Sequence, residues 1–274
     1  LHDWTHGGRL GNWLTVNGES LPTIEVSKNS RVRLRLINAA NARIFGLDIP
    51  TSAYLVAQDG YPIPARESQE VILGPAQRAD FIIDLADKDV TINETYNRDQ
   101  PYPAVNLKAV DTAQTLVAKS PLNQPNLEAP PTLIDVTIPL HMQGGAMGNL
   151  REANYRGKLR PIRELFQDHK KAWAFNGRIA EYHDHLANVS LNQPVSIEVW
   201  NDTRWPHAMH LHGHHFWIQK DDGLFLDGKR DTYLFQRGEK ANLVFIADNP
   251  GFWLFHCHML EHHAAGMGAV IQVS

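Results

Sequence analysis

The sequence predicts an all-β fold built from two β-sandwich domains, and three observations support this. The chain has 274 residues, a length that suits two domains of ordinary size. Its apolar stretches are short, and Arg31–Ile37 alternates charged and apolar residues with the period of a half-buried strand. Gly and Pro are frequent, at 19 and 16 residues, and turn pairs such as Asn17-Gly18 separate the stretches. This profile is typical of β-sandwiches.

The predicted strands follow one another along the chain with turn signals between them. After Arg31–Ile37 they are Val71–Leu73, Phe81–Leu85, Val195–Val199, Leu243–Ile246 and Val270–Val273. Long helices are not evident, and Ile162–Lys171 is the best candidate for a short one.

Two domains and a linker are predicted along this order. Residues 1–118 form the first domain, 134–274 the second, and the Pro-rich stretch 119–133 joins them. A weak internal repeat suggests that the domains are related. Asn38 lies 20 residues after the Asn17-Gly18 turn, and Asn201 lies 24 residues after the Asn176-Gly177 turn. Coincidence of common turn residues is the alternative explanation.

Composition narrows the functional classes. A net charge of -4 with neutral histidines disfavours a nucleic-acid partner, which would favour a basic face. No apolar run reaches the roughly 18 residues of a membrane-spanning helix, so no membrane span is expected. The single cysteine, Cys257, forms no disulfide within the chain.

The histidines predict a metal site in the last quarter of the chain. Nine of the fifteen lie between His207 and His263, and the most informative segment is His256-Cys257-His258, followed by His262 and Met267. Successive side chains of a strand point to opposite faces, so Cys257 faces away from its two neighbours. One strand can therefore ligate two metal centres. A thiolate, two imidazoles and a thioether form the ligand set of a blue-copper electron-transfer site.

A second histidine-rich segment supplies the imidazole that this set lacks. In an extended His207–Gly213, His210 and His212 share one face and His207 lies on the other. His207 can thus join Cys257, while His210 and His212 join the histidines beside it. Purely structural histidines and a zinc site are the alternatives. Zinc sites do not include a methionine thioether such as that of Met267, so copper is favoured.

These two segments resemble the two C-terminal copper motifs of the multicopper oxidases. Asp248–Gly251 and Arg230–Thr232 match as well, and in the first half Val32–Asn38 and Gly74–Asp80 resemble the second, copper-free domain of the three-domain bacterial enzymes. The resemblance covers essentially the whole chain. It implies that both domains are cupredoxin-like Greek-key β-sandwiches.

The resemblance also implies a role for each copper ligand. It implies type 1 copper on His207, Cys257, His262 and axial Met267, type 2 copper on His210, and the type 3 pair on His212, His256 and His258. A reducing substrate (a phenol, an aromatic amine or a metal ion) gives single electrons to type 1 copper. They pass through the catalytic segment His256-Cys257-His258 to a trinuclear copper cluster, where O2 is reduced to water.

The same resemblance gives two further expectations. An edge of His207 or His262 should lie near the surface, where the donor approaches. The protein is expected in a bacterial periplasm or secreted.

The sequence departs from the family pattern in the number of cluster histidines. The family uses eight, of which this chain has four, and residues 1–140 contain only His2 and His6. The family takes the other four from two His-x-His motifs in an N-terminal cupredoxin domain. Leu1–Trp4 resembles the segment where the second domain begins, which favours a piece of a longer protein. A natural short chain that receives four histidines from another chain is the alternative.

Several other residues attract attention without a ligand role. His183-Asp184-His185 is predicted as an exposed loop, with an adventitious metal site as the alternative. His214 and His215 are expected to pack or to support ligands. His263 stands where some family members have an acidic residue that assists proton delivery. Met142 and Met147 are interpreted as incidental to a Gly-rich loop, with soft cuprous ligands as the alternative.

Two competing functions remain open at this point. The first is a non-enzymatic copper-binding or electron-transfer cupredoxin module. The second, less favoured, is a nitrite-reductase-like copper enzyme. Such enzymes hold type 1 ligands in their first domain, whereas Cys257 lies near the C-terminal end.

Overall fold

The computed structural model describes residues 2–96, 100–112, 121–122, 124–183 and 185–274, and these are mostly β-structure. The strands of the first half are β1 (Thr23–Ser27), β2 (Arg31–Ile37), β3 (Phe45–Asp48), β4 (Ala53–Gln58), β5 (Tyr61–Glu67), β6 (Glu70–Leu73), β7 (Arg78–Asp84), β8 (Val90–Glu94) and β9 (Tyr102–Val110).

The strands of the second half are β10 (Val136–Gly144), β11 (Glu152–Tyr155), β12 (Lys158–Pro161), β13 (Trp173–Phe175), β14 (Ala187–Val189), β15 (Pro194–Asn201), β16 (His207–Leu211), β17 (Trp217–Lys220), β18 (Thr232–Phe235), β19 (Lys240–Ile246), β20 (Gly251–Cys257) and β21 (Gly268–Val273). The described helices are α1 (His2–Thr5), α2 (Ile162–His169) and α3 (Leu260–Ala264).

Two sheets form the first half, in the orders β1-β9-β8-β3-β6 and β2-β7-β4-β5. Their inward side chains build one core, with Leu55, Phe81 and Ile83 fully buried. Strand β2 shows why the alternating pattern folds this way. Its arginines point outward and pair with aspartates of the neighbouring β7, as Arg31 does with Asp84, while Val32, Leu34 and Leu36 face the core.

The second half has the orders β13-β10-β15-β19-β17 and β14-β21-β20-β16-β18, with β11 and β12 as a separate hairpin. A second, larger core lies between these sheets and includes Phe235, Phe245 and Phe255. Cys257 and Met267 belong to this core. The histidine-rich strands β16 and β20 are adjacent in the interior of one sheet, which is why the metal-ligating residues meet there.

A structural repeat relates the two halves. Asn38 and Asn201 each donate a side-chain N–H to the backbone carbonyl of the residue 35 positions later, Leu73 and Gln236, at 2.8 and 2.9 Å. Each side-chain oxygen accepts the backbone N–H two residues on, at 2.9 and 3.2 Å. The weak sequence repeat therefore corresponds to the same local hydrogen-bonding pattern at the end of β2 and of β15.

The all-β prediction of two sandwiches is confirmed. The predicted helix is also present, at Ile162–His169, and ends where Lys170 adopts a left-handed conformation. The predicted boundary at 118–119, with residues 120 and 123 of the linker, lies outside the described residues. The rest of the linker, 121–122 and 124–133, contains neither helix nor strand. Among the described helices none is long and apolar enough to cross a membrane.

Candidate metal centre

The pairing of β16 with β20 sorts the histidines onto two faces. The strands are antiparallel, with Met209 opposite Cys257 and His210 opposite His256. Because side chains alternate along each strand, Cys257 points into the core of the sandwich, whereas His210 and His256 point to the other face of the sheet. The strand alternation predicted from the sequence is therefore present.

The inner face holds a compact group of three donor atoms. His207 Nδ1 and His262 Nδ1 each lie 3.6 Å from Cys257 Sγ and 3.0 Å from each other. All three residues are completely buried. In a tetrahedral site, a sulfur ligand at about 2.3 Å and a nitrogen ligand at about 2.1 Å from the metal stand about 3.6 Å apart. The sulfur–nitrogen distances here therefore fit a metal ion.

The outer nitrogens of these two rings fix where their lone pairs lie. His262 Nε2 donates its proton to the His6 carbonyl at 2.6 Å. His207 Nε2 lies 2.8 Å from Thr203 Oγ1, and that hydroxyl gives its own proton to Asn201 Oδ1 at 2.7 Å. Both neutral rings are thus protonated on Nε2, and both Nδ1 lone pairs face Cys257. Such outer hydrogen bonds are typical of metal-ligating histidines.

Met267 is held beside this group by its backbone. Its N–H donates to the His262 carbonyl at 3.0 Å, and its own carbonyl accepts from the Cys257 N–H at 3.1 Å. Its side chain is fully buried. The preceding Gly266 has φ of +119°, and a Cβ there would lie 2.5 Å from the Trp173 carbonyl. Glycine is therefore required for the turn that brings Met267 back.

Burial keeps these groups uncharged in the copper-free chain. It raises the pKa of Cys257 to about 12. It lowers the pKa of His262 to about 4, and burial together with the neighbouring His262 holds the pKa of His207 well below its ordinary value. Neutral imidazoles are competent ligands, whereas the thiol must release its proton when a metal binds.

The opposite face gathers four further imidazoles. The ring centroid of His210 lies 4.8 Å from that of His212 and 5.8 Å from those of His256 and His258. His256 Nδ1 donates to the Cys257 carbonyl at 2.9 Å, so its Nε2 carries the lone pair and lies 3.1 Å from His212 Nε2. Burial and the neighbouring His263 lower the pKa of His256 to about 3.

An edge of His207 or His262 is expected near the surface, but neither ring is itself exposed to solvent. Both rings are completely buried. The N-terminal segment lies across them, since the His6 carbonyl accepts from His262 and the Trp4 carbonyl accepts from Trp173 Nε1 at 2.7 Å. The Trp173 ring packs on both imidazoles, with centroids 4.9 and 4.4 Å away.

The other histidines and methionines singled out from the sequence are not part of the inner group. His183 is exposed and His185 bonds Asn188, both outside regular structure, while Asp184 lies outside the described residues. His214 packs on Phe245 and Trp253, and His215 on Tyr61. His263 lies 4.5 Å from the His256 ring and bonds Tyr182. Met142 is buried and Met147 is exposed, so the two are not presented together.

Sequence reasoning missed the residues that orient the ligands. Thr203, His6 and Trp173 hold the inner group, and Asp231 holds His210 through its carbonyl, 2.8 Å from His210 Nδ1. Among these, only Asp231 carries a sequence signal, because Arg230–Thr232 matches the family pattern, although the match assigns it no role.

Comparison with known proteins agrees with this geometry. Two family models, both described as multicopper oxidase, match residues 5–116 and 158–274. A multicopper oxidase of Staphylococcus epidermidis is 25% identical over 97% of this chain and 53% of its own length. Multicopper oxidase MmcO of Mycobacterium tuberculosis is 27% identical, over 92% of this chain and 49% of its own length.

Solved structures give the same answer. A multicopper oxidase of Pseudomonas thermotolerans superposes with a TM-score of 0.78 at 27% identity, covering 99% of this chain and 62% of that one. A laccase-like multicopper oxidase of Ochrobactrum superposes with a TM-score of 0.80 at 22% identity, again over 99% of this chain and 62% of that one.

This chain spans about half the length of these curated relatives. With family matches in both halves and a buried thiol–imidazole group, the chain belongs to the multicopper oxidase family.

Proposed function

We propose that this chain is the electron-accepting part of an enzyme that oxidises a reducing substrate one electron at a time and reduces O2 to water. The observation that carries the proposal is the two-faced strand β20. It presents Cys257 to His207 and His262 on one face and His256 to His210 and His212 on the other, where His258, the residue after the strand, joins them.

The residues divide into two proposed sets. His207, Cys257, His262 and axial Met267 hold a type 1 copper, His210 a type 2 copper, and His212, His256 and His258 the type 3 pair. Copper at these positions supplies reversible one-electron chemistry. Cys257 links the sets covalently, since its backbone continues directly into His256 and His258.

The packing around the inner set supports an electron-transfer role rather than bond-making catalysis. A buried thiol with a pKa of about 12 is a poor nucleophile, but it becomes a ligand once it loses its proton to solvent. Thr203 and the His6 carbonyl hold both imidazole rings in place. Rings that are already oriented move little when the charge of the site changes, which favours fast electron transfer.

The four outer imidazoles are half of the family's trinuclear ligand set. We propose that an N-terminal cupredoxin domain, of the same protein or of another chain, supplies the other four. The greater length of the relatives supports this, because the chain covers only 49–53% of them. We propose that residues 1–118 are the family's second domain and residues 134–274 its third, joined by the linker 119–133.

The electron donor is proposed as a phenol, an aromatic amine or a metal ion. One solved relative is described as a metallo-oxidase of Campylobacter jejuni, and two relatives are named laccases, of Oryza sativa and Botryotinia fuckeliana. A periplasmic or secreted location is proposed from the family resemblance. Fractionation of the source cells, with enzyme activity as the marker, tests it.

Copper loading of the purified chain tests the proposal most directly. We expect one tightly bound copper per chain with blue absorption and a type 1 EPR signal, and Cys257→Ser should abolish both. With the missing four histidines supplied, about four coppers per assembly and O2 uptake are expected. A full assembly that binds blue copper but consumes no O2 with any donor class would instead establish the alternative, an electron-transfer module.

A further inference from the structure

We propose that Arg78 and Asp231 are positioning residues for the type 2 copper ligand His210. Through them the copper-free first half of the chain orients one ligand of the cluster in the second half. This inference rests on the proposed function, because it takes His210 as a copper ligand.

The contact between the halves is a bidentate ion pair. Arg78 Nη1 and Nη2 donate to the two carboxylate oxygens of Asp231 at 2.8 and 2.7 Å. Paired N–H donors fix a carboxylate in direction as well as in position. The guanidinium also stabilises the charged form of this carboxylate, because the opposite charges lie 2.7 Å apart.

Asp231 in turn fixes the ring of His210. The Asp231 carbonyl accepts from His210 Nδ1 at 2.8 Å, and Thr232 Oγ1 lies 3.0 Å from the same nitrogen. Thr232 Oγ1 donates to Asp231 Oδ1 at 2.8 Å, so the hydroxyl presents its lone pairs to the ring. The Nδ1 proton is thereby committed, and the Nε2 lone pair is left for a metal.

Two contacts within the first half hold Arg78 in place, and a third reaches the second half directly. Asp59 Oδ1 accepts from the Arg78 backbone N–H at 2.9 Å, and Arg78 Nη2 donates to the Asp59 carbonyl at 2.7 Å. Gln77 Nε2 donates to the Thr232 carbonyl at 3.3 Å. The ends of β4 and β7 thus hold Asp231 and Thr232 by backbone and side chain together. A displacement of the first half would therefore move the His210 ring, because Asp231 and Thr232 contact it.

The charge and geometry of Arg78 can be separated by substitution. Arg78→Lys keeps the positive charge, but a lysine cannot make the bidentate contact. Arg31→Lys is a matched control, because Arg31 makes the same kind of bidentate pair with Asp84, at 2.8 Å for both bonds, between the neighbouring strands β2 and β7 of the first half. Asp84 makes no contact with His210 among those described.

The test uses the complete copper-loaded protein, with the domain or chain that completes the cluster. Type 2 copper is followed by its EPR signal during titration with a chelator, and type 1 copper by its blue absorption. We expect Arg78→Lys to weaken type 2 binding by about 10- to 100-fold with type 1 copper unaffected, as other supports of metal ligands do. Arg31→Lys should retain both. Asp231→Asn provides a second variant with the backbone carbonyl intact and should show the same selective loss.

Three outcomes would overturn the inference. Wild-type retention of type 2 copper in Arg78→Lys and Asp231→Asn would show that the ion pair does not orient His210. Parallel loss of type 1 and type 2 copper would show a general structural role. Wild-type protein that binds type 1 copper and never shows a type 2 signal would refute the proposed function as well, which distinguishes that failure from the first two.

Discussion

Gly8 gives the sharpest test of how the N-terminal segment covers the inner metal group. We call residues 2–8 the strap. It is fastened where the Trp4 carbonyl accepts from Trp173 and the His6 carbonyl accepts from His262. Gly8 follows with φ of +78°, and a Cβ placed on it would lie 2.5 Å from the Cβ of Ala42, which is buried. Gly8→Ala therefore cannot be accommodated without moving the strap.

Gly11 is a matched control for backbone strain. Its φ of +65° is similar, but a Cβ there meets no atom within 4 Å. Gly11→Ala should cost about 1–2 kcal/mol of unfolding free energy, from the left-handed backbone alone. Gly8→Ala carries a further cost beyond this strain. If the strap stays in place, the new methyl overpacks Ala42 at a cost of about 1–3 kcal/mol. If the strap moves away, the buried N–H of His262 is left unpaired, also at a cost of about 1–3 kcal/mol. The expected excess over the control is thus about 1–3 kcal/mol.

Two assays follow from this. Urea unfolding of the copper-free chain measures the excess, and stopped-flow reduction of the blue copper measures access to His262. We expect a bulky phenolic donor to reduce Gly8→Ala several-fold faster than Gly11→Ala. Equal unfolding free energies in the two variants, to within about 0.5 kcal/mol, or unchanged reduction rates would refute the strap as the cover of His262.

Three further outcomes are expected. Burial lowers the pKa of His262 from an ordinary 6.5 to about 4. Between these pH values its ring is therefore neutral in the folded copper-free chain and protonated in the unfolded chain. Its contribution to stability is present above pH 6.5 and is lost as the pH falls towards 4, by about 3 kcal/mol at most. Urea unfolding from pH 7.5 to 5 measures this, and a His262→Gln variant with the same pH dependence would contradict it. Thr203→Val removes the hydroxyl bonded to His207 and should lower the unfolding free energy by about 1–3 kcal/mol and copper affinity by about 10- to 100-fold; full affinity in a copper titration would argue against that role. His214 is buried with neither ring nitrogen hydrogen-bonded among the described residues, and the Asp248 carboxylate lies 3.9 Å from its Nε2. His214→Phe should therefore raise the unfolding free energy by about 1 kcal/mol, and a loss of stability in urea unfolding would mean that His214 has a polar partner.

Strand positions were predictable because their signals are local. The arginine-apolar alternation of Arg31–Ile37 gives the bounds of β2, and the Asn17-Gly18 and Asn176-Gly177 turns lie where both residues have positive φ. The same period of two is enough to separate Cys257 from its flanking histidines, because it depends only on neighbouring positions of one strand. The ligand roles themselves stay predictions.

The covering of His262 by the N-terminal segment could not be predicted from the sequence. The sequence predicted an edge near the surface, and His6, 256 residues earlier, places its carbonyl on the edge of His262. The contact is made by a backbone atom that every residue possesses, so no residue type marks it. The same holds for the Asp231 carbonyl on His210.

The sequence by itself determined the family, the all-β fold and the division of the histidines between two faces, because residue type and spacing along a strand fix these. Tertiary structure alone decided which nitrogen of each ring is committed to a hydrogen bond, how the strap closes over His262, and how Arg78 reaches Asp231. Those features depend on distances between segments far apart in the chain. Only the packing of the two sandwiches sets such distances.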